Sequence, residues 1–290
     1  MKAKMHWWII LAVGCQSTPT NQPDSYQFVE REGIFFENFD STQYSDHTYS
    51  EDNLIFKIGR QFAYNYEFFT ADNQNMRVCE NRNPNKWQPY WTLIPVDSTN
   101  TKTISQIELI VEKRVEVYEQ TPLRYEYLNS EGKVLHSNLT GIVENKKNVW
   151  IYPPRGNYFR ILELNPFPFI QTPYEMGNEW NYSLSIGSGW GDKRWKTWKG
   201  SINNQCTYRI TDRKKIDSGL GSLECLVVEA EASSSIGSTN LTAYFNPKYG
   251  FVKLDYKNID QSRVCFTLRE VSVAASKPSA IPSPFLTEEK

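Results

Sequence analysis

The side chains best suited to chemistry in this sequence are aromatic. Trp180, Trp190, Trp195 and Trp198 fall within residues 180–198, four of the nine tryptophans in a chain of 290 residues. Trp190 lies in Gly187-Ser188-Gly189-Trp190-Gly191, where the glycines leave little to pack around it, so its ring is expected at the surface. An exposed indole on a β scaffold can stack on the face of a sugar, while Asp192, Lys193 or Arg194 orients hydroxyls. The plainer expectation is that Trp195 and its neighbours plug the end of a sheet. A ligand platform of Trp190, Trp195, Trp198, Asp192 and Arg194 is the alternative.

Other chemistries find less support. The three histidines are His6, His47 and His136, none within a His-Glu-x-x-His spacing, and no Cys-x-x-Cys occurs. No metal or cofactor is therefore expected. A Gly-x-Ser-x-Gly elbow is absent, and the glycine-rich loop at 187–191 lacks the Gly-Lys-Ser/Thr of a phosphate loop. Glu179 and Asp192 flank the aromatic loop and are the best candidates for a glycosidase pair. Two solvated acids are the simpler reading, so the chain is expected to be non-catalytic. Its formal net charge of −1, with no dominant basic run, argues against a nucleic-acid partner.

The first fifteen residues carry a different signal. Lys2 and Lys4 precede the apolar run Trp7–Val13, and Gly14-Cys15 closes it. That is the layout of a secretory signal, too short to span a bilayer. Leu11-Ala12-Val13-Gly14-Cys15 resembles a bacterial lipobox. The resemblance implies acylation of Cys15, which becomes the first residue of the mature protein and its link to the membrane. Gln16 stands where aspartate would favour inner-membrane retention, so the outer membrane is the expected location. Residues 1–14 are read as signal peptide, 15–27 as a flexible tether, and 276–290, with three prolines, as a tail. An envelope location permits disulfides among Cys79, Cys206, Cys225 and Cys265, with pairing open and buried free thiols the alternative.

The elements that must position these residues read as strands. Ile107, Leu109, Val111, Val115 and Val117 alternate with polar residues, a period of two. Arg124–Leu128 and Lys133–Leu139 flank Asn129-Ser130-Glu131-Gly132, a hairpin signal. Further strands are expected at 148–152, 158–164, 179–186, 195–202, 205–215, 223–232, 240–245, 250–257 and 263–273. No amphipathic helix of ten residues stands out, although 27–67 could hold one. The fold class is mainly β: a large antiparallel sheet over 28–275, forming a curved half-barrel or open sandwich. A composition break near 121 could subdivide it, but unbroken strand spacing favours one sheet.

Residues 177–271 resemble a group of uncharacterised secreted bacterial β-sheet proteins. The resemblance rests on Met176–Trp180, Gly221–Val228 and Ala243–Leu254, the last an aromatic–turn–Gly-Phe-Val-Lys segment. It implies a curved antiparallel half-barrel similar to periplasmic lipoprotein carriers, and no activity. A hydrophobic concavity holding a lipid or acyl chain is the expectation such curvature adds.

Overall fold

In the computed structural model the described residues are 27–38, 53–81, 90–98, 100–113 and 120–273. Cys15, the tether, the tail and His47 lie outside them. Sixteen strands and two short 3-10 helices make up this part of the chain. β1 (Gln27–Arg31) and β2 (Ile34–Asn38) form a separate hairpin. The remaining fourteen strands form one antiparallel sheet, nearly closed into a barrel.

The sheet is two meanders joined side to side. β6 (Gln106–Val111), β7 (Thr121–Leu128), β8 (Val134–Glu144), β9 (Asn148–Ile151) and β10 (Phe169–Gln171) follow one another outward from β3 (Arg60–Phe69). β11 (Glu179–Gly187), β12 (Ser201–Ser218), β13 (Gly221–Ser234), β14 (Gly237–Asn246), β15 (Gly250–Lys257) and β16 (Arg263–Val273) form the second. β3 pairs with β16 from Arg60↔Val273 to Arg263↔Phe69 and so unites them. β4 (Asn75–Asn81) and β5 (Tyr90–Pro95) branch off the end of β3. β7 begins at Thr121 inside this sheet, paired on both sides.

The pleat explains which residues face inward. Along β12, Ile202, Asn204, Cys206, Tyr208 and Ile210 are buried while the residues between them are exposed, the alternation of a strand with one wet face. At the free edges β10 and β11 are not hydrogen-bonded to each other, and rings close the gap. Phe169 on β10 meets Trp180 at 5.8 Å and Tyr208 at 5.5 Å, and Trp150 on β9 meets Tyr182 at 6.1 Å. The β1–β2 hairpin clasps this seam. Glu32 carbonyl accepts from the Ser183 N–H on β11, and Gly33 carbonyl accepts from Gln171 Nε2 on β10. Gly33 has φ +89°, and a Cβ there would lie 2.3 Å from the Asn181 carbonyl oxygen, so glycine is required twice over.

Three expected strands differ. Residues 158–164 form a 3-10 helix, Asn157–Leu164, because Tyr158, Phe159, Ile161, Leu162 and Leu164 follow a helical spacing between proline-rich flanks. The strand expected from Trp195 starts only at Ser201, after Gly200 with φ +69°. The strand holding Ile107 is described to Val111, and Val115 and Val117 lie outside the described residues. The described parts of 27–67 are strands and turns.

Candidate functional site

The concave side of the sheet is occupied by the chain itself. Residues 152–168 leave β9, run through the barrel and return to β10. The wall holds this segment by polar groups aimed inward. Tyr125 OH donates to the Tyr152 carbonyl, Tyr208 OH to that of Phe167, and Thr239 Oγ1 and Asn204 Nδ2 to that of Leu164. Tyr127 OH accepts the Gly156 N–H at 2.9 Å. Burial pushes these phenols upward from their ordinary pKa, so they stay neutral. Phe159 is packed between Tyr66, Tyr127 and Phe266. A void of about 10 Å³ remains beside Tyr64, Tyr125 and Phe266, the room of roughly one water molecule. An acyl chain could enter only if residues 152–168 left.

One ion pair is sealed into this packing. Arg155 Nη2 lies 2.6 Å from Glu163 Oε1, and the Glu163 side chain is nearly inaccessible. Its second oxygen, Oε2, and Arg155 Nε are buried without hydrogen-bond partners. Burial raises the Glu163 pKa to about 7, although Arg155 pulls the other way. The Arg155 guanidinium also lies 4.3 Å from the Tyr152 ring centroid and 4.6 Å from that of Trp190.

Trp190 is therefore the outermost member of this stack. It sits in a one-turn 3-10 helix, Ser188–Trp190, half-buried against the core, with the guanidinium of Arg160 also 5.3 Å from its ring. Arg160 in turn bonds the Gly189 carbonyl. Trp195 is buried, at 8% exposure, and its Nε1 donates to the Trp190 carbonyl. Trp198 is half-buried and donates to the Ile186 carbonyl. Asp192 and Arg194 engage each other through two bonds, at 2.9 and 2.8 Å. The same guanidinium lies 4.6 Å from the Tyr158 ring centroid and donates to the Trp91 carbonyl. Its hydrogen bond to Asp192 is the chief reason that this carboxyl is held below its usual pKa. The five residues are together at one rim, tied mainly to one another and to the 152–168 segment.

The remaining candidates are dispersed. Glu179 starts β11 and Asp192 lies beyond its other end, so eight strand steps, about 27 Å, separate the ends of that strand. Retaining and inverting glycosidases need carboxyls about 5–10 Å apart, and this pair does not meet that. His136 lies on β8 against Trp91 and Tyr127, its pKa lowered by burial. Cys79, Cys206, Cys225 and Cys265 are buried free thiols. Their registry explains why: Cys206 faces Ala232 and Tyr182, Cys225 faces Lys214, and Cys265 faces Asp255 and Glu67. Two strands separate Cys225 from Cys265. Among the described residues no group of three or more His, Cys, Asp or Glu side chains is placed to hold a metal.

No protein-family model matches this chain. No curated protein matches it either. Solved structures do. One, from Bacteroides fragilis, is provisionally described as an exported protein with a YmcC-like fold; it is 11% identical over 74% of this chain and 96% of that one, TM-score 0.41. Another, from Parabacteroides distasonis, is provisionally described as a lipoprotein, 12% identical over 76% and 97%, TM-score 0.42. The hypothetical lipoprotein YmcC of Escherichia coli is 10% identical over 72% and 84%, TM-score 0.32.

Arg155 and Glu163 were not candidates from the sequence. Their signal was present, though: Pro153-Pro154 and Pro166-x-Pro168 bracket the helically spaced apolar run and mark an inserted segment.

Proposed function

We propose that this chain is a lipid-anchored bacterial envelope protein with no catalytic step of its own, working by binding or assembly at the outer-membrane surface. Gly14-Cys15 behind the Trp7–Val13 run carries the reading, because it supplies both an export signal and an acylation site. About a dozen residues separate Cys15 from β1, a span of roughly 20 Å if flexible. More than one acyl chain would hold the domain firmly, since a single chain binds only marginally.

The packing supports a scaffold more than a carrier. The concavity is filled by residues 152–168, which leaves the outer face and the two rims for contact. The test is [³H]palmitate labelling and membrane fractionation of the wild type and Cys15→Ala. Label and membrane retention in the wild type alone support the reading. An unlabelled, unprocessed wild type in the cytosol overturns it.

A further inference from the structure

One rim of the barrel combines exposed apolar side chains with lysines. β3, β7, β9 and β15 begin at this rim, and β6, β8 and β16 end there, as the registers Arg60↔Val273, Gln61↔Ile110, Thr121↔Ile142 and Glu144↔Val149 require. Residues 53–58 lie across it. A buried carboxylate fixes them there: Glu144 Oε1 accepts the N–H groups of Leu54 and Ile55 at 2.9 and 2.8 Å, and Oε2 that of Phe56 at 2.8 Å. Ile55 and Phe56 then turn inward, against the Gly250 position. Leu54 is left pointing out, 75% exposed, and Ile58 is 44% exposed. Met176, on the neighbouring β10–β11 loop, is 53% exposed.

Five exposed lysines belong to the same rim. Lys57 lies between Leu54 and Ile58, Lys113 follows β6, Lys146 and Lys147 form the β8–β9 turn, and Lys248 lies in the β14–β15 turn. Of the carboxylates beside them, Glu144 is engaged by the three N–H groups and Glu112 by Arg124, while Lys146 has a partner of its own. Glu175 is an acid on the neighbouring loop. The five lysines cluster on the sector from β3 to β9 and the β14–β15 turn, while Glu179, Asp217, Glu224 and Glu270 lie further round the same end. The N-terminal hairpin docks at this end as well. Asn145 Nδ2 donates to the Phe35 carbonyl, Asn148 Oδ1 accepts the Phe35 N–H, and Lys147 Nζ lies 5.9 Å from the Phe35 ring centroid.

We infer that this rim seats the barrel end-on upon an anionic phospholipid surface, with Leu54 and Ile58 entering the headgroup layer and the lysines meeting lipid phosphates. The orientation deepens the anchored reading above and rests on it: the β1–β2 hairpin, through which the chain enters the described fold, is docked by Phe35 on the β8–β9 turn of this rim. Each lysine near an anionic surface strengthens binding about fivefold, and a buried leucine adds about tenfold or more. Neither contribution suffices alone, and together they would fix which end faces the bilayer.

The test uses the chain from residue 15 with Cys15→Ser, exported on a cleavable signal, so that no acyl group contributes. Residues 1–14 lie outside the described fold, and this chain keeps every strand. Co-sedimentation with vesicles of phosphatidylcholine containing about 30 mol% phosphatidylglycerol is compared with phosphatidylcholine alone. Binding only to the anionic vesicles, released by about 0.5 M salt, is expected. Lys57→Glu, Lys147→Glu and Lys248→Glu together should weaken it by more than about a hundredfold, and Leu54→Ser about tenfold. Reversing Lys193, Lys196 and Lys199 at the opposite rim should leave it nearly unchanged. Thermal unfolding confirms that each variant folds. No binding to anionic vesicles, or an equal loss from both lysine triplets, overturns the inference. Palmitate labelling of the native chain is independent of this result, so failure of the anchor and failure of the rim are told apart.

Discussion

Neutralising Glu163 should flatten the pH dependence of stability and make the protein more stable in alkaline buffer. The carboxyl has a folded pKa of about 7 against an ordinary value of 4.5, with burial as the dominant cause. Between those values the folded protein holds a proton that the unfolded chain has released, so the slope of stability against pH is negative there. The contribution is fully present below about pH 4.5 and is lost as pH rises through about 7. A shift of roughly two and a half pH units corresponds to about 3 kcal/mol. The amide introduced by Glu163→Gln would mimic the protonated acid at every pH and remove the slope. Burial also raises the Glu144 carboxyl and lowers the His136 imidazole, but both groups are common to the two proteins and cancel in the difference. Urea unfolding followed by tryptophan fluorescence at about pH 4 and about pH 8 measures this. At the lower pH the Glu163→Gln midpoint should match the wild type. At the higher pH it should lie about 1 M higher, for a slope near ~3 kcal/mol/M. A variant less stable than the wild type in alkaline buffer would refute the reasoning, because the Arg155 pair would then outweigh the cost of burying the charge.

Three further outcomes follow from named contacts. Gly219→Ala places a Cβ 1.9 Å from the Arg269 carbonyl oxygen, where the β12–β13 turn folds against β16; a loss of about 2–4 kcal/mol is expected in thermal or urea unfolding. Glu144→Ala removes the acceptor of three N–H groups and should destabilise by about 2–4 kcal/mol, with new proteolytic cleavage near Leu54 as its local signature. The thiols of Cys206 and Cys225 are pushed to about 12 and about 11 by burial, so in a Cys15→Ala chain a thiol reagent at about pH 8 should find none of the four reactive until urea is added.

The second meander was legible because its local signals agree. Residues 205–210 alternate without a break, 223–232 and 263–268 are short apolar-rich runs, and Asn246-Pro247-Lys248-Tyr249-Gly250 and Asn258-Ile259-Asp260 punctuate them where the strands turn. The hairpin around Gly132 was legible for the same reason, its φ of +75° matching the turn. What stayed hidden depends on distant partners. Leu54 to Phe56 meet Glu144 across about ninety residues, and nothing in either segment announces the other. Residues 158–164 were misread because a short apolar run fits both periods, and only the flanking prolines decide it. The aromatic loop was found, but its chemistry was not: Arg194 near Asp192 reads equally as a pair serving a ligand or as one serving itself.

The union of the two meanders has a consequence for how this protein can be made. Everything between β3 and β10 is synthesised before anything between β11 and β16, yet the two blocks are stitched by the final strand. Until residues 263–273 emerge, β3 and β15 each present a raw border of ten and eight residues, the sort that sticks to other chains. Prematurely terminated products would thus be adhesive fragments with no partial use, and the export proposed above would have to keep the whole polypeptide unfolded until its closing stretch has arrived.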